Sequence, residues 1–183
     1  MPRSIGALDI NLGCSGFVYA LSLANGLIQS GAAKCILVVT ADTYSKFIHP
    51  LDKSVRTLFG DAAVATAIVA DTETDRGVGP FVFGTDGSGA RHLIVESGGS
   101  RLARSPETAV ETHDASGNVR SRDNLYMDGG AVMAFTLKEV PAAVAQLLDK
   151  AGLGKDDVDA FVLHQANRFM LDALRKKLGV APE

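Results

Sequence analysis

The chain has 183 residues, of which 46% are hydrophobic and 21% charged, the proportions of an ordinary globular chain forming one large domain or a piece of something larger. Its 18 Lys and Arg against 21 Asp and Glu leave a net charge of −3, and the positive residues are scattered, so nucleic acid is not expected as a partner. Aromatics make up only 6% with no Trp while glycine reaches 19, so the core must be built from Ala, Val, Leu and Ile; disordered and collagen-like classes are excluded.

Met1-Pro2-Arg3-Ser4 leads straight into apolar sequence without the pattern of a signal peptide, and Cys14 and Cys35 cannot make a disulfide framework, so a reducing, cytoplasmic setting is expected. Ile5 to Ile10 reads as a short strand. From Gly16 to Ser30 apolar residues recur at helical spacing (Phe17, Ala20, Leu21, Ala24, Leu27, Ile28), with Gly31 as the stop. Val18, Tyr19 and Leu23 make the other faces of that helix apolar too, which predicts a helix surrounded by protein. Cys35 to Ala41 is a continuous β-branched run, the pattern of a parallel strand covered on both faces, so strand, helix and strand predict a right-handed crossover.

Asp42 to Thr57 shows no period and reads as a loop. Ala62 to Ala70, Gly79 to Gly84 and His92 to Val95 read as further strands. The run from Ala62 to Ala70 is the longest apolar stretch and falls far short of the roughly 20 residues of a membrane helix, so no membrane association is expected. Residues 97–124 are polar and irregular and read as a junction or surface excursion. From Met127 a helical pattern resumes, is broken or restarted at Pro141, and continues to Gly152. Val158 to Leu163 reads as a strand and Gln165 to Leu178 as a helix closed by Gly179. The pattern predicts a layered α/β fold with two parts, residues 1–96 and 97–183.

One motif occurs twice. Ala7 to Gly13 runs through Cys14 into a helix, and Ala160 to Leu163 runs through His164 into another. Ligands collect at the carboxyl ends of strands in open α/β sheets, where these two residues fall. A cysteine at a helix N-terminus has its thiolate favoured by the unpaired N–H groups and the helix dipole, and Gly13 and Gly16 let a substrate come close. A Cys and a His at two strand-to-helix corners are the residue types that thiol-based acyl transfer uses. Cys35, mid-strand, reads as structural; His49, His92 and His113 read as structural or solvated. No Cys/His grouping has zinc spacing, and the glycines at 84–89 lack dinucleotide or phosphate-loop spacing.

Asp9-Ile-Asn-Leu-Gly-Cys-Ser-Gly-Phe17, Arg56-Thr-Leu-Phe-Gly-Asp61, His164-Gln-Ala-Asn167 and Lys177-Leu-Gly179, in that order, resemble the β-ketoacyl-acyl-carrier-protein synthase III family of thiolase-like condensing enzymes. The resemblance implies a thiolase-like layered fold of mixed sheets, with a buried helix carrying the catalytic Cys, present here in part. It implies that Cys14 takes an acyl group from acyl-coenzyme A as a thioester. His164 then assists decarboxylation of malonyl on its carrier protein, and the carbanion attacks the acyl-cysteine to give a 3-oxoacyl carrier protein. Asn167 and Gly129 would line the pantetheine path, Lys53 would stand against the coenzyme A nucleotide, and Phe59 and Leu125 would line the acyl pocket. No cofactor or metal is implied; acyl-coenzyme A and the acyl carrier protein are the substrates, in fatty-acid or related lipid or polyketide synthesis, and a homodimer is implied.

Two departures from the family pattern stand out. Five residues after His164, where the family carries an arginine used to dock the carrier protein, this chain has Phe169, and Arg168 one step earlier points about 100° away on a helix. The resemblance also covers only the central portion of the family's sequence, with a third catalytic residue, an asparagine, and a glycine-rich loop expected beyond Glu183, so the chain alone is expected not to condense. Two other readings stay open: another thiolase-superfamily condensing enzyme acting on coenzyme A thioesters, against whose thiolase form His-Gln-Ala-Asn argues, and a non-catalytic subunit that packs against a complementary chain.

Overall fold

Apolar residues at helical spacing after Gly13 produce helix α1, Gly16–Gln29. Past the end of the helix, Ser30 N donates to the Gly26 carbonyl at 3.0 Å, and Gly31 takes a left-handed conformation with φ +76. The computed structural model describes residues 3–71, 73–74 and 77–181. These fall into two compact units, 1–42 with 62–81, and 43–61 with 82–183.

In the first unit, strands β1 (Cys35–Thr43) and β2 (Asp61–Val69) form a two-stranded sheet. Ala70 N donates to the Lys34 carbonyl at 3.1 Å, so the end of β2 lies beside the start of β1 and the strands run antiparallel. Three expectations change here. Residues 5–10 form no strand, because no described segment pairs with them and a strand exists only through its ladder. The predicted crossover therefore lacks its first strand. Neither α1 nor β1 is enclosed: Ala24 and Val38 are buried, but Leu37 and Val39 remain 57% and 63% exposed.

In the second unit, the loop expected over 42–57 contains a 3-10 turn at Tyr44–Lys46 and a single helical turn, α2, Lys53–Arg56. Strand β3 (Leu93–Ile94) pairs antiparallel with β6 (Tyr126–Met127), Leu93 opposite Met127. The polar excursion is not irregular throughout: β4 (Thr112–His113) and β5 (Val119–Arg120) form a hairpin with Thr112 opposite Arg120. Asp114 Oδ1 accepts from the Ser116 and Asn118 amides, and Gly117 takes φ +76, so turn chemistry closes the hairpin. Residues 79–84 and 158–163 form no strand, no described strand pairs with either, and Val162 is 91% exposed.

Helix α3, Gly129–Ala151, runs unbroken through Pro141. Asp128 starts it by accepting the Ala131 amide at 2.9 Å, and Gly152 (φ +68) ends it. Its length and apolar composition would suffice to cross a membrane. Lys138 and Glu139 pair at 2.8 Å near its midpoint, however, and each charged group is costly at a bilayer centre. α3 packs instead against helix α4, Arg168–Leu178. Helix α4 is closed by Gly179 (φ +67), and Lys155 Nζ donates to the Leu178 carbonyl at 3.0 Å. Among the described residues of this unit, Val55, Val119, Leu125, Leu174 and Leu178 are the buried apolar ones.

Candidate active site

Cys14 lies in the first unit, in the turn Gly13-Cys14-Ser15 that enters α1, and its thiol is free and exposed. Gly16 N donates to the Gly13 carbonyl at 2.8 Å, folding the chain back around the cysteine. Ser15, the residue flanking the helix, has no side-chain cap, so its hydroxyl does not occupy the amides of the first turn. Cys35 opens β1 and is likewise free and exposed, rather than mid-strand in a covered run.

The other predicted site residues belong to the second unit. His164 is exposed, and its carbonyl accepts from Ala166 N at 2.9 Å, making a tight turn into α4. Asn167 caps α4: its Oδ1 accepts from Met170 N at 2.8 Å, and its carbonyl from Leu171 N. The amide nitrogen of its side chain is the part left for other work. Phe169 is 76% exposed, and Arg168 meets Asp172 at 3.9 Å on the helix surface. Arg175, Lys176 and Lys177 occupy the last turn.

Lys53 begins α2 with its side chain exposed; its backbone N donates to Asn118 Oδ1 at 3.1 Å. Phe59 follows α2 and stacks on Tyr44, ring centroids 5.0 Å apart and planes at 26°. Leu125 is buried, its N donating to the Phe47 carbonyl at 2.8 Å, and Gly129 opens α3 directly after β6. Helix α2 packs against β6, the strand that follows Leu125 and precedes Gly129.

The supporting network was missed by the sequence reading. Asp52 is wholly buried and caps α2, accepting Ser54 N at 2.9 Å and the Ser54 hydroxyl. Arg120 Nε donates to Asp52 Oδ2 at 2.8 Å and its terminal nitrogen to Asp114 Oδ2 at 2.6 Å, while the guanidinium lies 5.3 Å over the Tyr126 ring. The Asn118 side chain, then its amide, then the charge of Arg120 hold the Asp114 carboxyl below its ordinary value. Asp-Lys-Ser at 52–54 is a cap signature that reading 42–57 as a loop passes over, and the reach of Arg120 has no local signal. Asp61 accepts from the Ser45 hydroxyl and amide, and these bonds lower its carboxyl as well.

His49 meets Glu111 at 3.1 Å and His92 faces Asp128 at 3.8 Å, so both are engaged in surface pairs. An open cleft of about 560 Å³ is lined by Phe47, Val95, Ser97 and Arg104 among others. Among the described residues no group of three His, Cys, Asp or Glu is placed to hold a metal ion.

Residues 8–87 match the family model for 3-oxoacyl-[acyl-carrier-protein] synthase III, and residues 148–183 the model for the C-terminal part of the same family. A β-ketoacyl-[acyl-carrier-protein] synthase III of Caldanaerobacter subterraneus subsp. tengcongensis is 37% identical over 94% of the chain and 49% of its own length. The corresponding protein of Symbiobacterium thermophilum is 36% identical over 97% of the chain and 51% of its own. A solved 3-oxoacyl-(acyl-carrier-protein) synthase III is 61% identical with a TM-score of 0.96, covering 99% of this chain and 54% of that one. A synthase III from Thermus thermophilus aligns at 34% identity and a TM-score of 0.73, over 93% of this chain and 49% of that one. The chain spans about half the length of the curated relatives it matches. Cys14 falls in the first matched region and His164 in the second, each at the mouth of a helix, on a partial thiolase-like fold: the chain belongs to the β-ketoacyl-acyl-carrier-protein synthase III family.

Proposed function

We propose that this chain carries the acyl-accepting nucleophile and one decarboxylation residue of a 3-oxoacyl-[acyl-carrier-protein] synthase III acting in fatty-acid or related lipid or polyketide synthesis. The observation that carries the reading is the exposed Cys14 thiol in the turn entering α1, inside the matched region. Its thiolate attacks the acyl-coenzyme A carbonyl; the C–S bond to coenzyme A breaks and coenzyme A leaves as the thiol, taking up a proton. Malonyl carrier protein then loses carbon dioxide, and the bond electrons pass into the enolate of its thioester. His164 donates a hydrogen bond to that oxygen. The carbanion attacks the acyl carbon and expels the Cys14 thiolate, leaving 3-oxoacyl carrier protein.

Lys53 faces the nucleotide of coenzyme A, Gly129 and the free amide nitrogen of Asn167 line the pantetheine path, and Phe59 and Leu125 line the acyl pocket. The reaction needs no cofactor. In the absence of an arginine at 169, the basic last turn of α4 supplies positive charge for an acidic carrier protein. The exposed Leu37 and Val39, two apart and so on one face of β1, support a homodimer or complementary chain over this sheet. Because Cys14 and His164 both stand in water in this chain, acylation proceeds but condensation, which stabilises an enolate in a water-excluded site, does not. A cytoplasmic setting fits two free thiols.

The test supplies labelled acyl-coenzyme A and malonyl carrier protein to the chain and to Cys14→Ala and His164→Ala. The reading expects covalent label in the wild type and His164→Ala but none in Cys14→Ala, with no 3-oxoacyl product from any of them. Label retained in Cys14→Ala would overturn the nucleophile; condensation by this chain alone would overturn the division of labour.

A further inference from the structure

Arg120 has an unusual position for an arginine. Its side chain is only 15% exposed, and it joins three parts of the second unit: Asp52 at the start of α2, Asp114 in the β4–β5 hairpin, and Tyr126 in β6. Asp52 is fully buried beneath it. A buried ion pair is a weak source of net stability, since desolvation offsets most of the attraction, but its directional bonds fix geometry well. What is fixed here is the first residue of α2. Asp52 holds the backbone at Ser54, and Asn118, itself bonded twice to Asp114, accepts the Lys53 amide. At its other end, Tyr126 leads through Asp128 into Gly129.

We infer that the β4–β5 hairpin is a positioning element for coenzyme A, in which Arg120, clamped between Asp52 and Asp114, aims Lys53 at the coenzyme nucleotide. This rests on the proposed role of Lys53 and goes beyond it. Arg120 acts through another residue and is not itself a contact. Its planar fork reaches two carboxylates at once, which a lysine's single nitrogen does not reproduce. A lysine at 53 is a flexible cation, so its usefulness to a nucleotide depends on where its backbone is held.

The test compares equilibrium binding of coenzyme A with that of pantetheine, which lacks the nucleotide, to the full chain. The quantity read is the preference, the pantetheine Kd divided by the coenzyme A Kd. Lys53→Ala lowers the preference about tenfold, the worth of one charge-assisted contact. Arg120→Lys lowers it nearly as far with the pantetheine Kd unchanged, and adds less than about twofold in the Lys53→Ala background, because both changes remove the same contact. Asn118→Ala, which frees the Lys53 amide but leaves the ion pairs, lowers the preference by a smaller factor and serves where Arg120→Lys folds poorly. A preference lowered by Lys53→Ala but untouched by Arg120→Lys and Asn118→Ala overturns the inference and leaves the role of Lys53 standing. A wild type without the preference, or one that Lys53→Ala leaves unchanged, overturns both. Equal weakening of the two ligands by Arg120→Lys marks a general structural role and overturns the inference.

Discussion

Replacing Asp52 by Ala removes the carboxylate on which the start of α2 is built. The side chain accepts the Ser54 amide, the Ser54 hydroxyl and Arg120 Nε, and it is wholly buried. Loss of the cap costs about 1 kcal/mol. Breaking a buried pair from one side costs 3–5 kcal/mol in the general case. Here Arg120 keeps Asp114 and is 15% exposed, so about 2 kcal/mol is the appropriate share and the sum is about 3 kcal/mol. That corresponds to about a hundredfold change in a local opening equilibrium. Amide hydrogen exchange reads it directly: protection of Lys53, Arg56 and Asn118, whose amides bond within this network, falls about hundredfold. The Leu171 and Val180 amides of α4 keep theirs. Asp52→Asn, which retains an oxygen for the cap, loses about 2 kcal/mol. A drop of less than about threefold in Asp52→Ala, or an equal loss in α4, would refute the network as a local anchor of α2.

Three further outcomes are expected. Pro141→Ala stabilises α3 by about 2 kcal/mol, since proline is about 3 kcal/mol less favourable than alanine inside a helix and its stiffening of the unfolded chain returns about 1; denaturant unfolding that shows a loss would contradict the continuous helix. The hairpin is acid-labile. Asp114 has its folded pKa depressed, first by Asn118 and last by Arg120, so its contribution is complete above the unfolded value of about 3.9 and is lost as pH falls through that value toward the folded one. Exchange at residues 112–120 therefore rises below about pH 4, and Asp114→Asn abolishes that dependence. Asn167→Ala costs α4 about 1 kcal/mol through its cap and exposes the Met170 amide to exchange, whereas Asn167→Asp keeps the cap.

The helices were the most legible part of the fold, because each is bounded by residues with one physical job: Gly31, Gly152 and Gly179 all take positive φ where the sequence places a helix end. Pro141 misled, since α3 tolerates it internally rather than restarting there. Strands at 5–10, 79–84 and 158–163 were overcalled because an apolar run records willingness to pair, not the presence of a neighbour, and no described segment pairs with them. The hairpin at 112–120 was undercalled, although Asp114-Ala-Ser-Gly117 is turn chemistry. Cys14 does precede α1 and His164 does precede α4, as the helical periodicity predicts. The ion pair of Arg120 with Asp52 was not legible, because the two lie 68 residues apart and nothing local announces the contact.

The most direct measurement is the intact mass of the chain, and of Cys14→Ala and Cys35→Ala, after incubation with an acyl-coenzyme A. Cys35 is an internal comparison, since it too is free and exposed but does not precede a helix. One thioester adduct on the wild type and on Cys35→Ala, with none on Cys14→Ala, is the predicted result. Equal acylation of both cysteines, or an adduct that survives Cys14→Ala, would mean that the turn entering α1 confers no special reactivity and that Cys14 is not the nucleophile.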